Sequence, residues 1–233
     1  SHQGGAITGV LSEIGELDVE KVSHALAGVT GKRIKATKFQ APAIPRRYPQ
    51  LCAGCPHLYT ISAIKKAAPE NTIFGGDIGC YMIAGMPPHN MQDYEFCMGS
   101  SLGIAHGIKK STNQKVIALI GDGTFFHSGI AGIINAVYNK SNPLFIIVDN
   151  RTTAMTGHQQ NPGMGKNGMG EDVEELKIEE IVKACGVKNI KTIDPINVAE
   201  LEGAIKEFLD KKEVSVIVSK RICALLAKRQ KND

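Results

Sequence analysis

The sequence lacks several features that define large classes of proteins. No stretch approaches the ~20 consecutive apolar residues that a membrane-spanning helix needs. The start, Ser1 to Gly5, has no basic segment followed by an apolar one, so the pattern of a secretory signal peptide is not indicated. Six cysteines in 233 residues are too sparse for a disulfide scaffold. We therefore expect a soluble, cytoplasmic protein without a membrane partner.

A strong excess of charge of one sign is also missing. The chain has 27 Lys and Arg residues against 23 Asp and Glu residues, and its dense basic cluster is confined to Lys228, Arg229 and Lys231. A nucleic-acid partner is therefore not expected. Hydrophobic residues make up 42% and charged residues 21% of the chain, which is typical of globular proteins and excludes disordered, collagen-like and coiled-coil classes.

The first fifty residues differ from the remainder. Asp18 is a candidate N-cap for a short helix whose apolar residues, from Val19 to Val29, recur at helical spacing before Gly31. Arg33 to Pro49 is basic and proline-rich, which favours an extended linker. We expect residues 1–50 to be a linker and a short helix from a preceding region, residues 51–225 to be the main domain, and residues 226–233 to be a basic tail.

Strand and helix patterns alternate through the main domain. Helices are predicted at His57–Ala67, Met98–Lys110, His127–Asn139, Val173–Cys185 and Val198–Lys211, and strands at Thr72–Gly75, Lys115–Ile120, Leu144–Val148, Ile190–Ile193 and Val214–Val218. The strands are short and uniformly apolar, as in a parallel sheet covered by helices on both faces. This predicts a three-layer α/β fold. Ligands of such sheets bind beyond the carboxyl ends of the strands, here the loops Gly76 to Asp93, Gly121 to Phe126 and Asp149 to Glu171.

One strand runs directly into Gly121-Asp122-Gly123, and the next ends at Asp149-Asn150. Glycines at a strand end let a diphosphate approach the backbone, and a following helix offers free N–H groups. Asp122 suits that place when Mg²⁺ lies between the carboxylate and the phosphates, with Asn150 as a second oxygen ligand. The alternative is a pair of solvated turns.

This GDG motif with a closing Asn resembles the thiamine diphosphate enzymes. The resemblance implies that Asp122, Asn150 and the backbone oxygen of Thr152 bind Mg²⁺. A second match is the segment from Met98 to Gly107, where the resemblance implies that Met98 props the cofactor into a V shape; a plain core methionine is the alternative. The further cofactor contacts that it implies are Gly99, Ser100, Gly121, Gly123, Thr124 and Thr156.

Four cysteines stand in separate loops: Cys52, Cys55, Cys80 and Cys223. Four thiolates drawn from separate loops suit a single [4Fe–4S] cluster, and they also permit a zinc site. Cys97 and Cys185 are expected in the core as small buried hydrophobes.

A closer resemblance rests on the segments 51–57, 76–80, 121–129, 135–140 and 149–158. Together they resemble the thiamine diphosphate-binding domain of the 2-oxoacid:ferredoxin oxidoreductases, most closely the alpha subunits of the indolepyruvate enzymes, over residues 51 to about 225. The resemblance implies decarboxylation of a 2-oxoacid, with coenzyme A as co-substrate and ferredoxin as electron acceptor. It also implies that the four loop cysteines hold a [4Fe–4S] cluster.

Three histidines, His57, His127 and His158, flank the expected site, and His57 is the first candidate for a catalytic role. In the family, the glutamate that activates the cofactor belongs to a pyrimidine-binding region that is not found in this sequence. We therefore expect partners, namely that region and a second subunit, in a dimer or hetero-oligomer, and an inactive isolated chain. Two alternatives remain: a non-oxidative thiamine diphosphate-dependent decarboxylase or synthase, and a zinc-stapled binding module.

Overall fold

The computed structural model describes residues 11, 14–32, 34, 42–45 and 47–231. The chain divides into two compact units, residues 1–47 and residues 48–233. Ser1 to Gly5 and much of the linker predicted from Arg33 to Pro49 lie outside the described residues.

The first unit contains helix α1 (Val19–Thr30). The Asp18 carboxylate accepts a hydrogen bond from the backbone N–H of Lys21 at 2.7 Å, and Gly31 ends the helix at φ 69°. Both are common helix-end devices, a side-chain N-cap and a left-handed glycine. The predicted short helix is thereby confirmed.

The second unit is built on a parallel sheet. Its described strands are β1 (Ile73–Gly75), β2 (Val116–Gly121), β3 (Leu144–Asp149), β4 (Asn189–Ile193) and β5 (Ser215–Lys220), in the spatial order β1-β2-β3-β5-β4. Every pair of neighbours is parallel. Each residue of β2 and β3 is buried, which explains why these strands are apolar except for Asp149 at the end of β3.

Helices cover both faces of this sheet. The helices of this unit with six or more residues are α2 (Pro56–Ala67), α3 (Ser100–Ser111), α4 (Ile130–Tyr138), α5 (Ile178–Ala184), α6 (Val198–Leu209) and α7 (Ala224–Arg229), and 3₁₀ turns lie at Cys80–Gly85 and Pro162–Met164. Residues of α2 and α6 share one core cluster with Leu119 and Ile146, whereas residues of α3, α4 and α5 share the other with Ile120 and Ile147. The predicted three-layer α/β fold is confirmed. Within the described part of the chain, no helix has both the length and the apolar character needed to cross a membrane.

Several predicted boundaries were wrong. The helix predicted from Val173 begins at Ile178, because the N–H groups of Val173 and Leu176 instead donate to the carbonyls of Gly165 and Pro162. The loop predicted over Gly121 to Phe126 is helical from Asp122 onward: Asp122–Thr124 is followed by a π-helical turn, Phe125–Gly129, that leads into α4. Helix α7 was not predicted. Cys97 is exposed rather than part of the core.

Candidate functional site

Three neighbouring strands bring the predicted site residues to one edge of the sheet. In the parallel register, Gly121 of β2 pairs with Val148 of β3, so Asp122 follows at the level of Asp149. Strand β5 lies on the other side of β3 and ends at Lys220. Beyond it, the Cys223 N–H donates to the Asn150 carbonyl at 2.9 Å. The loops after β2, β3 and β5 therefore meet.

Asp122 is the centre of a cleft at this edge and is only 4% exposed. Its Oδ2 accepts hydrogen bonds from the Thr152 N–H at 3.1 Å and from Asn161 Nδ2 at 3.0 Å, and its Oδ1 accepts from the Gly123 N–H at 2.8 Å. Burial, and then the neighbouring Asp149 carboxylate, raise the pKa of Asp122 to about 7. A cation placed beside this carboxylate would offset both effects.

The surroundings of Asp122 fit a divalent cation and a diphosphate. A Cβ atom on Gly123 would lie 2.3 Å from Thr153 Oγ1, so no larger residue fits without a shift. Asn150 Oδ1 faces the Thr152 N–H at 3.3 Å, and Thr152 Oγ1 is buried without a hydrogen-bond partner. Carboxylate and amide oxygens beside a glycine-lined cleft are the donor set that Mg²⁺ and substrate phosphates use.

His57, the second residue of α2, is buried beside Asn150. Its Nε2 lies 3.3 Å from Asn150 Nδ2, and its ring packs edge-on against Tyr81 at a centroid distance of 6.0 Å. Because Asn150 Oδ1 faces the Thr152 N–H, the amide nitrogen is the donor and His57 Nε2 accepts. Burial lowers the pKa of His57 to about 4, so the imidazole is neutral at neutral pH, with its proton on Nδ1.

The four loop cysteines line a second cavity, of about 140 Å³, together with apolar residues that include Leu51, Ile83 and Ala224. All are free thiols. Burial, and then the neighbouring thiols of Cys80, Cys223 and Cys52, raise the pKa of Cys55 to about 11. Among the described residues, no three His, Cys, Asp or Glu side chains form a group that could hold a single metal ion. The four thiols surround the cavity instead.

The two spaces are adjacent. The cleft around Asp122 and the cysteine cavity have four lining residues in common, namely His57, Cys80, Asn150 and Ala154. A group bound in one space therefore lies next to a group bound in the other.

The remaining predicted residues are placed differently. Thr124 lines the cleft, whereas Met98, Gly99 and Ser100 lie at the start of α3 and do not line it. Met98 is half-buried, and its carbonyl accepts from Ser128 Oγ at 3.1 Å. Thr156 is exposed and donates to Gln159 Oε1 at 2.7 Å. Their cofactor contacts stay predictions.

Of the other two candidate histidines, His158 lines the cysteine cavity. His127 is exposed, and its Nδ1 lies 3.0 Å from Ser128 Oγ. The structure therefore brings His57 and His158 to the two adjacent spaces and places His127 outside their lining.

Sequence reasoning missed two buried polar residues at this edge, Asn161 and Asp77. Asn161 holds Asp122 in place and also caps the 3₁₀ turn at Pro162–Met164, because its Oδ1 accepts from the Gly163 N–H at 3.0 Å. The Asn-Pro-Gly sequence signals such a cap, but no pattern signals a contact across 39 residues.

Comparison with known proteins defines the class of this domain. Residues 77–219 match the family described as thiamine pyrophosphate enzyme, C-terminal TPP binding domain. The chain belongs to this family. The cleft beyond β2 and β3 is thus found in a domain of a cofactor-binding type.

Comparison with individual relatives identifies a narrower group of similar proteins. The chain is 41% identical over 227 residues to the indolepyruvate oxidoreductase subunit IorA of Methanothermobacter thermautotrophicus, covering 95% of this chain and 37% of that protein. It is 42% identical over 196 residues to the subunit IorA of Pyrococcus horikoshii, covering 78% of this chain and 30% of that protein. The chain therefore spans about a third of the length of these curated relatives.

A solved structure supports the fold. A 2-oxoglutarate:ferredoxin oxidoreductase from Magnetococcus marinus, determined with 2-oxoglutarate, coenzyme A and succinyl-CoA bound, superposes with a TM-score of 0.64. The match covers 75% of this chain and 64% of that chain at 15% sequence identity. At that identity the likeness concerns the fold alone.

Proposed function

We propose that this chain is the thiamine diphosphate- and Mg²⁺-binding domain of an oxidoreductase that decarboxylates aryl 2-oxoacids such as indolepyruvate to acyl-CoA and passes the electrons through iron–sulfur clusters to ferredoxin. The observation that carries the proposal is the adjacency of the Asp122 cleft and the four-cysteine cavity. The identity to subunits of indolepyruvate oxidoreductases supports the substrate class.

In this proposal the cleft holds the diphosphate end of the cofactor. Asp122, Asn150 and the Thr152 carbonyl would hold Mg²⁺, whose charge would offset that of the diphosphate. The helix that begins at Asp122, directly after β2, adds free N–H groups and the positive end of its dipole. Asn161 and the Thr152 N–H hold the Asp122 carboxylate in one orientation.

Bound thiamine diphosphate would supply a carbon nucleophile for the keto group of a 2-oxoacid and a sink for the electron pair released with CO₂. A [4Fe–4S] cluster held by Cys52, Cys55, Cys80 and Cys223 would accept such electrons one at a time. The lining residues that the cleft and the cavity share support this role for the cysteines. A non-oxidative decarboxylase has no use for this arrangement.

His57 borders both spaces and is neutral, with a proton on Nδ1 and Nε2 turned toward Asn150. It can therefore orient the Asn150 amide and offer the proton on Nδ1 to a reacting oxygen, as a neutral imidazole does when it acts as a hydrogen-bond donor.

The test is a reconstitution assay. The chain is incubated with thiamine diphosphate, Mg²⁺, indolepyruvate, coenzyme A and a ferredoxin or viologen acceptor, with and without the pyrimidine-binding region and the second subunit. We expect acceptor reduction only with the complementary polypeptides, because the activating carboxylate has to come from them. Full reduction by the chain alone would contradict this. Release of CO₂ and aldehyde without any acceptor reduction in the complete mixture would indicate the non-oxidative alternative.

A further inference from the structure

Asp77 is a buried carboxylate that the proposed chemistry does not use. It lies just after β1 and is 0% exposed. Its Oδ1 accepts from the backbone N–H groups of Ile78 at 2.8 Å and Gly99 at 2.7 Å, and its Oδ2 accepts from the Ser101 N–H at 2.9 Å. In the part of the chain that the structure describes, no basic side chain forms an ion pair with it. Backbone donors therefore stabilise this charge.

Two of these donors belong to the start of α3. The first N–H groups of a helix have no partner within the helix and carry a partial positive charge. Gly99 precedes α3 and has no side chain with which to cap it. Asp77, which is 22 residues earlier than Gly99, takes that role. The position of the α3 start is thus tied to the loop after β1.

The same segment is fixed from the other side by Ser128, in the π-helical turn that follows Gly121–Gly123. Ser128 Oγ donates to the Met98 carbonyl at 3.1 Å. Gly99 has φ 87°, and a Cβ atom there would lie 1.8 Å from Ser128 Oγ, so glycine is needed for both conformation and space. Met98 and Gly99 are therefore held between Asp77 and Ser128.

The residue after Asp77 makes a second connection. The Ile78 carbonyl accepts from Thr124 Oγ1 at 2.9 Å and from the Tyr81 hydroxyl at 3.0 Å. Cys80 follows two residues later. The dipeptide Asp77-Ile78 thus joins the Met98 segment, the turn at Asp122–Thr124 and the segment that carries Cys80.

We propose that Asp77 is a positioning residue of the active site: it keeps Met98 and Cys80 in a fixed relation to the Asp122–Thr124 turn. This inference rests on the proposed function, in which these three segments hold the cofactor and the cluster. Displacements of about 1 Å can cost on the order of 100-fold in rate, so a residue that touches no reacting atom can still control turnover.

The test compares Asp77→Asn with Asp93→Asn in the chain combined with the pyrimidine-binding region and the second subunit. An amide at position 77 has one acceptor oxygen and turns its NH₂ group toward a backbone donor, so the bond to Gly99 or Ser101 is lost. Asp93 is the matched control. Its Oδ2 accepts from the N–H of Phe74 in β1, the strand just before Asp77, at 2.7 Å. Asp93 contributes no hydrogen bond to the Met98 segment or to the Asp122–Thr124 segment. The readouts are the dissociation constant of thiamine diphosphate with Mg²⁺, and kcat at saturating cofactor.

We expect Asp77→Asn to raise the dissociation constant on the order of tenfold and to lower kcat at saturating cofactor by a similar factor. Asp93→Asn should change each less than about twofold. A purely structural role would reduce the amount of folded enzyme and leave both quantities unchanged per folded molecule, which would overturn the inference. Failure of the wild-type enzyme to bind thiamine diphosphate would overturn the proposed function itself.

Ser128→Ala provides a second variant that does not alter a buried charge. It removes the bond to the Met98 carbonyl and should weaken thiamine diphosphate binding in the same direction as Asp77→Asn. If Asp77→Asn does not fold, Ser128→Ala alone tests the inference. An unchanged affinity for thiamine diphosphate in Ser128→Ala would overturn the inference, and a weakened affinity would support it.

Discussion

Asn150 Nδ2 lies 3.3 Å from His57 Nε2, and this contact stands on the boundary between the Asp122 cleft and the four-cysteine cavity. Asn150 turns its other amide atom toward the Thr152 N–H, and its backbone carbonyl accepts from the Cys223 N–H. One asparagine therefore connects the proposed Mg²⁺ site, the candidate catalytic histidine and a candidate cluster ligand.

Replacing Asp122 tests the proposed metal site. Asp122→Ala should abolish Mg²⁺-dependent binding of thiamine diphosphate, because the diphosphate loses its cation bridge. Isothermal titration calorimetry of the reconstituted enzyme measures this directly. Asp210→Ala, at an exposed carboxylate paired with Lys115, is the control and should bind normally. Undiminished affinity in Asp122→Ala would show that this carboxylate holds no Mg²⁺.

Replacing Cys52 separates electron transfer from decarboxylation. Cys52→Ser should lower the iron content and stop ferredoxin reduction, while slow release of CO₂ continues because CO₂ leaves before the electrons are transferred. Cys185→Ser is the matched control, since Cys185 packs against the core cluster of α3, α4 and α5 and does not line the cysteine cavity. Iron content and ferredoxin reduction equal to wild type in Cys52→Ser would refute the ligand assignment.

Replacing His57 tests its proposed catalytic role. His57→Gln keeps a polar side chain beside Asn150 but removes the imidazole. Because positioned acid–base groups contribute about 10²- to 10⁴-fold, we expect turnover of the 2-oxoacid to fall at least tenfold while thiamine diphosphate affinity stays near the wild-type value. Steady-state kinetics with cofactor titration give both quantities. An unchanged turnover number would leave His57 with a structural role only.

The fold could be predicted from the sequence because its determinants are local. Apolar strands such as β2 and β3 that alternate with helices favour a parallel sheet, and a parallel sheet brings the ends of neighbouring strands to one edge. The proximity of Asp122 and Asn150 follows from that geometry. The late start of α5 could not be predicted, since the N–H groups of Val173 and Leu176 donate to the carbonyls of Gly165 and Pro162 in the preceding loop.

The site residues that could not be predicted from the sequence act through long-range polar contacts. In the sequence, Asp77 is not distinguished from the rest of its glycine-rich loop. Its role depends on hydrogen bonds from the start of α3, more than twenty residues later. Asn161 reads as a turn residue, although it binds Asp122 across 39 residues. Loop conformations set both contacts, and no periodicity in the sequence encodes them.

In the proposed enzyme, the cysteine cavity holds an iron–sulfur cluster beside the thiamine diphosphate cleft. Iron, acid-labile sulfide and zinc analysis of the anaerobically purified chain tests it most directly. We predict about four iron and about four sulfide per chain, as for a [4Fe–4S] cluster, with loss of colour in air and loss of both elements in Cys52→Ser. Stoichiometric zinc without iron, or iron content that does not depend on Cys52, would contradict the claim.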